Sequence, residues 1–144
     1  MCLISFALNS HPDYPLLVVA NRDEFHDRPT AAADFWPGQS WLLAGRDLVA
    51  GGTWLGITRS GRFAAITNHR NPPEVPANPR SRGMLTLDFL AGTATPHAYL
   101  SQVAASARDY AGFNLLVGDG VEFAYFSNIE KQVRTLDSGV YSLS

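Results

Sequence analysis

Cysteine occurs once in this chain of 144 residues, at position 2, directly behind Met1. Methionine ahead of a residue this small is normally trimmed, which would leave Cys2 with a free α-amine. An unperturbed α-amine titrates at about 7.7–8.0 and a thiol at about 8.5. One residue would then hold a nucleophile and a general base within reach of each other. Such a centre also needs a carboxylate to hold the ammonium and donors to stabilise an oxyanion. Two polar clusters offer them. Asn21-Arg22-Asp23-Glu24 closes the apolar run Pro15-Leu16-Leu17-Val18-Val19-Ala20, and Asn68-His69-Arg70 closes Phe63-Ala64-Ala65-Ile66-Thr67. Charges at the end of a buried strand are costly unless they meet a partner or a ligand. Asp23 is the candidate carboxylate and Asn68 the candidate amide donor. On the residues alone two bland readings stay open: a solvated loop after a strand, and a cysteine that is a small core hydrophobe.

The elements that must position these groups read as follows. Residues 2–8 are apolar and β-prone, Asn9 to Asp13 make a turn, and residues 15–20 form a second strand. Joined by so short a link, the two predict an antiparallel hairpin, which sets the Cys2 end of one strand beside the Asn21 end of the other. Residues 25–50 show no clear period and are expected as a long loop over one end of the sheet. A strand over 51–58, a turn at Ser60-Gly61 and a strand over 62–67 give the clearest hairpin. Gly51-Gly52 suggests a bulge or a close backbone approach, and Trp54 reads as core more readily than as a ligand platform. The proline-rich 71–80 is a loop or lid.

Two helices follow. Ser81 is the expected cap of the first, with Met84, Leu87, Leu90 and Ala91 at helical spacing and Gly92 as its stop. Thr95 caps the second, with Pro96 in the first position and Tyr99, Leu100, Val103 and Ala107 on one face. Strands return at 113–117, at 121–126 after the Asp119-Gly120 turn, and at 139–143. The last stops in mid-run at Ser144, which leads to the expectation that the natural protein continues and that an incomplete sheet edge could favour pairing. Strands, a helix pair, then strands, with hairpins throughout, predict an α+β domain: antiparallel sheet with helices on one face.

Bulk properties narrow the classes. Hydrophobic residues make up 46% and charged ones 17%, the balance of a single globular domain. A net charge of −2 with scattered basic residues offers no case for nucleic acid. No apolar run reaches the roughly 18–20 residues of a membrane span, and the first residues lack a secretory pattern. The lone cysteine fits a reducing compartment, so the cytoplasm is the expected location. One Cys and four scattered His show no metal-ligand spacing. Gly51-Gly52 and Gly118-Asp119-Gly120 are too short to cradle phosphate, and no cofactor is called for.

Met1-Cys2-Leu3-Ile4, Ala20-Asn21-Arg22-Asp23-Glu24-Phe25, Arg28-Pro29, Ala44-Gly45-Arg46-Asp47, Gly51-Gly52-Thr53-Trp54-Leu55-Gly56, Thr67-Asn68-His69-Arg70, Ser81-Arg82-Gly83 and Gly112-Phe113-Asn114-Leu115 resemble the NRDE family, that of transport and Golgi organisation protein 2. The likeness runs from the first residue to the last. Members are longer, so it implies that this chain corresponds to their N-terminal portion. It also implies the N-terminal nucleophile (Ntn) hydrolase fold, an αββα sandwich of antiparallel sheets, here cut short. The family is distantly similar to bile-salt hydrolases and penicillin V acylases.

Carried over by that resemblance, Cys2 falls on the nucleophile and Asp23 on the carboxylate that holds the terminal amine. Asn68 falls on the first asparagine of the oxyanion site, and the second would lie beyond Ser144. Ala20 stands where those hydrolases have arginine, and Arg22 is the possible substitute. Asn21, Arg22, Glu24, Arg28, Trp54 and Arg70 are the candidate substrate-binding residues. The implied activity is cleavage of a C–N amide bond through a thioester. The alternative implied is a non-catalytic binding and trafficking protein for acyl-CoA, another lipid or haem, linked through the family to secretion and Golgi organisation, with Asn21 to Glu24 and Arg28 holding a polar head. His26 and His69 are the nearest axial candidates for haem, and each reads better as a solvated histidine.

Overall fold

The opening hairpin is antiparallel. β1 (Leu3–Leu8) and β2 (Leu16–Asn21) pair with Leu3 opposite Asn21 and Leu8 opposite Leu16. The computed structural model describes residues 2–69 and 72–144. Alternation decides which face of β1 turns inward: Ile4, Phe6 and Leu8 are buried, while Leu3, Ser5 and Ala7 face out. The last strand, β10 (Gly139–Leu143), pairs with the other edge of β1, giving a three-stranded sheet in the order β10-β1-β2.

The stretch 25–50, expected as a long loop, is a correction. It folds mostly as a hairpin of β3 (Thr30–Trp36) and β4 (Gln39–Asp47) about Pro37-Gly38, where Gly38 has φ +76°. β3 is exposed at every position but Trp36, so it carries no apolar alternation to read, and two register shifts break its pairing. Its anchor is tertiary: the Trp36 indole donates to the Ala44 carbonyl at 2.9 Å, and Arg46 lies over its ring.

β5 (Leu55–Thr58) and β6 (Phe63–Asn68) form the expected hairpin, turning at Gly61 with φ +87°. β5 begins later than the sequence suggested, because Gly51 and Gly52 are spent on a backbone contact described below. The helices are α1 (Gly83–Ala91) and α2 (Pro96–Ala105). Thr95 caps α2 through its hydroxyl and the Ala98 amide, with Pro96 in the first position. Ser81 does not cap α1, a second correction. Arg82 occupies that position with no side-chain cap, and only the Ser81 carbonyl helps, accepting from the Met84 amide.

β7 (Phe113–Gly118), β8 (Phe123–Ser127) and β9 (Gln132–Thr135) complete a seven-stranded antiparallel sheet in the order β3-β4-β5-β6-β7-β8-β9. β8 starts two residues after the expected point, since the Asp119 carboxylate takes the Val121 and Glu122 amides into a turn. β9 is a largely exposed edge that the sequence pattern did not reveal.

Helices and sheets make an α+β arrangement of three layers among the described residues. One core lies between the helices and the large sheet, joining Leu85, Phe89, Leu100 and Val103 to Ile66, Leu115, Val117 and Phe126. The other lies between the sheets, joining Ile4, Phe6 and Leu8 to Phe63, Ala65, Leu116 and Phe123. β6, β7 and β8 are buried on both faces, which is why they read as near-continuous apolar runs. The outer face of the small sheet carries exposed Leu17, Val19 and Val140, with no described element over it.

Candidate functional site

Register places Cys2 where chemistry is possible. Because Leu3 faces Asn21, the residue before β1 meets the residues after β2. The Asp23 backbone amide donates to Cys2 Sγ at 3.3 Å, and the thiol lies 3.7 Å from the Asp23 carbonyl. The half-buried sulfur thus sits in a short loop of main chain. Burial pushes its pKa up; Arg22 and Arg82 pull it back and Glu24 adds to the rise. A thiol so placed stays protonated at neutral pH unless a base assists it.

A cleft of about 530 Å³ opens beside this sulfur. Cys2, Arg22, Asp23, Glu24, Arg28, Trp54 and Asn68 all line it, so β1, β2, β6 and the segment before β5 converge there. Asn21 lies outside that lining, at the end of β2, and Arg70 lies outside the described residues. Neither His26 nor His69 lines the cleft, so it offers haem no axial histidine. Trp54 serves two ends: it packs against both cores and also lines the cleft.

The wall is charged and largely self-compensated. Arg22 contacts Glu24 at 3.2 Å, and Arg28 contacts Asp47 at 2.7 Å and Glu24 at 3.9 Å. Asp47 in turn accepts from the Val49 and Ala50 amides, which shapes the loop leading to Gly51-Gly52. Arg28, expected to hold a ligand head, therefore spends much of its donor capacity on Asp47.

Arg82 was not singled out from the sequence. It enters the cleft from the start of α1 and donates to the Gly112 carbonyl at 2.8 Å. Burial lowers its pKa, Glu24 and Cys2 oppose that, and the guanidinium stays charged. Backbone packing fixes its place: Gly52 lies so close to Gly83 that a Cβ on Gly52 would come within 2.5 Å of the Gly83 carbonyl carbon, and the Thr53 amide donates to Gly83 O. The signal was present, because a cation at a helix N-terminus opposes the macrodipole, and local inconsistencies of that kind mark functional positions.

The family model described as Transport and Golgi organisation 2 matches residues 1–144. The chain belongs to that family. A Bos taurus relative, named transport and Golgi organization protein 2 homolog, is 40% identical over 157 residues, covering all of this chain and 56% of the relative. The Homo sapiens protein of the same name is 38% identical with the same coverage. The Drosophila melanogaster transport and Golgi organization protein 2 is 33% identical over 128 residues, 81% of this chain and 45% of its own. The chain thus spans about half the length of the curated relatives it matches. Among the described residues of this transport and Golgi organisation 2 family member, no three His, Cys, Asp or Glu gather as a metal site, and no helix is long and apolar enough to cross a membrane.

Proposed function

We propose that residues 1–144 form one N-terminal unit of an Ntn-hydrolase-like αββα domain that cleaves a non-peptide C–N amide bond in a reducing, cytoplasmic setting. The observation that carries this reading is the meeting of Cys2 Sγ with the Asp23 main chain at the mouth of a cleft that Asn68 also lines. With Met1 removed, the Cys2 α-amine takes the thiol proton as the sulfur attacks the amide carbonyl. Asp23 holds the resulting ammonium, and Asn68 donates to the oxyanion. Collapse of the tetrahedral adduct breaks the C–N bond, the ammonium proton leaving with the amine. Water then hydrolyses the thioester and returns the thiol.

Intact mass of the untagged full chain, before and after brief exposure to a thiol-directed acylating reagent at neutral pH, tests this. The expected result is loss of Met1 with rapid single labelling at Cys2 that turns over with time and that Asp23→Ala slows. A retained Met1, or a Cys2 no faster than a free thiol, would sink the hydrolase.

The binding reading has its own support. An apolar groove of about 370 Å³, floored by Leu43, Leu55 and Ile57, shares Arg22, Asp47 and Trp54 with the cleft and so continues it. That shape suits a ligand with a polar head and an apolar tail, such as an acyl-CoA. A binder of this kind retains a fluorescent long-chain acyl-CoA after Cys2→Ala, whereas an enzyme loses turnover.

A further inference from the structure

We propose that Arg82 is a specificity-determining residue that recruits an anionic group on whatever ligand lies beside Cys2. This takes the cleft as a ligand site from the reading above but does not require catalysis there. Among the described residues four arginines and three carboxylates line the cleft, an excess of one positive charge. Arg22 and Arg28 are paired with Glu24 and Asp47 inside it, and Arg80 reaches Asp109 at its rim at 3.7 Å. Arg82 has no carboxylate within ion-pair distance among the described residues; its one hydrogen bond there is to the Gly112 carbonyl. That bond orients the guanidinium while leaving most of its five N–H donors for another acceptor.

The position is also built rather than incidental. Gly52 and Gly83 press backbone on backbone immediately beside it, a contact that only glycine permits. A half-buried cation whose nearby carboxylate, Glu24, is already engaged by Arg22 is incompletely compensated, and an anionic ligand group is the partner that relieves it. Carboxylate and phosphate share that chemistry, and the test separates them.

Two alkylating probes of nearly equal size differ in charge, iodoacetate being anionic and iodoacetamide neutral. Any change in the reactivity of the Cys2 thiolate alters both rates together, so their ratio reports anion recruitment alone. In the full chain the iodoacetate-to-iodoacetamide ratio at Cys2 should exceed that of a free thiol such as glutathione. Arg82→Gln should lower it by about tenfold, the scale of one lost charge-assisted hydrogen bond, with iodoacetamide changing less than about twofold. Arg82→Lys should keep part of the advantage. Should Arg82→Gln fail to fold by circular dichroism, saturable protection of Cys2 from iodoacetate by acetate or by inorganic phosphate in the unaltered chain carries the test, and the stronger protector names the anion class. A ratio equal to glutathione's, a ratio unmoved in folded Arg82→Gln, or no protection by either anion would overturn the proposal. A slow iodoacetamide reaction with an Arg82-dependent ratio would sink the hydrolase and leave the anion site standing.

Discussion

Burial works to raise the Asp47 carboxyl, but the Arg28 hydrogen bond, the Val49 and Ala50 amides and the Arg28 charge together outweigh it and hold the group below its ordinary value. Stability from a depressed carboxyl is complete above its unfolded value of about 4 and is lost as pH falls through the folded one. Asp47→Asn should therefore cost about 1–2 kcal/mol at pH 7, allowing for partial exposure. It should also flatten the acid limb of a stability profile measured by urea melts from pH 7 to 3. An acid limb identical in both proteins would refute this account of Asp47. Nothing local joins Arg28 to Asp47, which are 19 residues apart. The resemblance makes Arg28 a candidate ligand-binding residue, and only the fold shows that Asp47 is its partner. Cys2, Asp23 and Asn68 were legible as residues because their types are rare or costly at strand ends.

At the scale of elements, the contact of Gly52 with Gly83 couples the loop before β5 to the start of α1. Gly52→Ala needs the backbones to separate and should cost about 1–3 kcal/mol, as overpacking does. It should also reduce the iodoacetate preference at Cys2, because Arg82 moves with that turn. Gly51→Ala is the comparison: its Cβ meets nothing within 4 Å, so the cost is the left-handed backbone alone at φ +80°, about 1–2 kcal/mol, with the preference kept. Equal loss of preference in both variants, measured alongside their melts, would argue against the coupling. The glycine pair itself was readable as a close approach; its partner, some 30 residues on, was not. The Ser81 cap failed for the same reason, since the start of α1 answers to this contact and not to its own side chains.

For the molecule as a whole, the two sheets are held by apolar side chains that meet across a gap. Leu116 is fully buried there, whereas Val19 stands 77% exposed on the outer face of the small sheet. Leu116→Ala should cost about 2–5 kcal/mol and Val19→Ala within about 0.5 kcal/mol, read from denaturant midpoints. Comparable losses would mean that the outer face is as buried in solution as the gap between the sheets. Hairpins with short turns, the Thr95-capped helix and the α+β class came from the sequence alone, because period, turn residues and caps are local signals. The pairing of β3 with β4 and the presence of β9 were decided only by tertiary structure: β3 and β9 lie at the two edges of the large sheet, exposed on most positions, and an exposed strand leaves no hydrophobic alternation behind. So too was the place of Arg82, since which cation faces Cys2 depends on how a helix packs against a glycine loop, and packing between distant segments leaves no period in the chain.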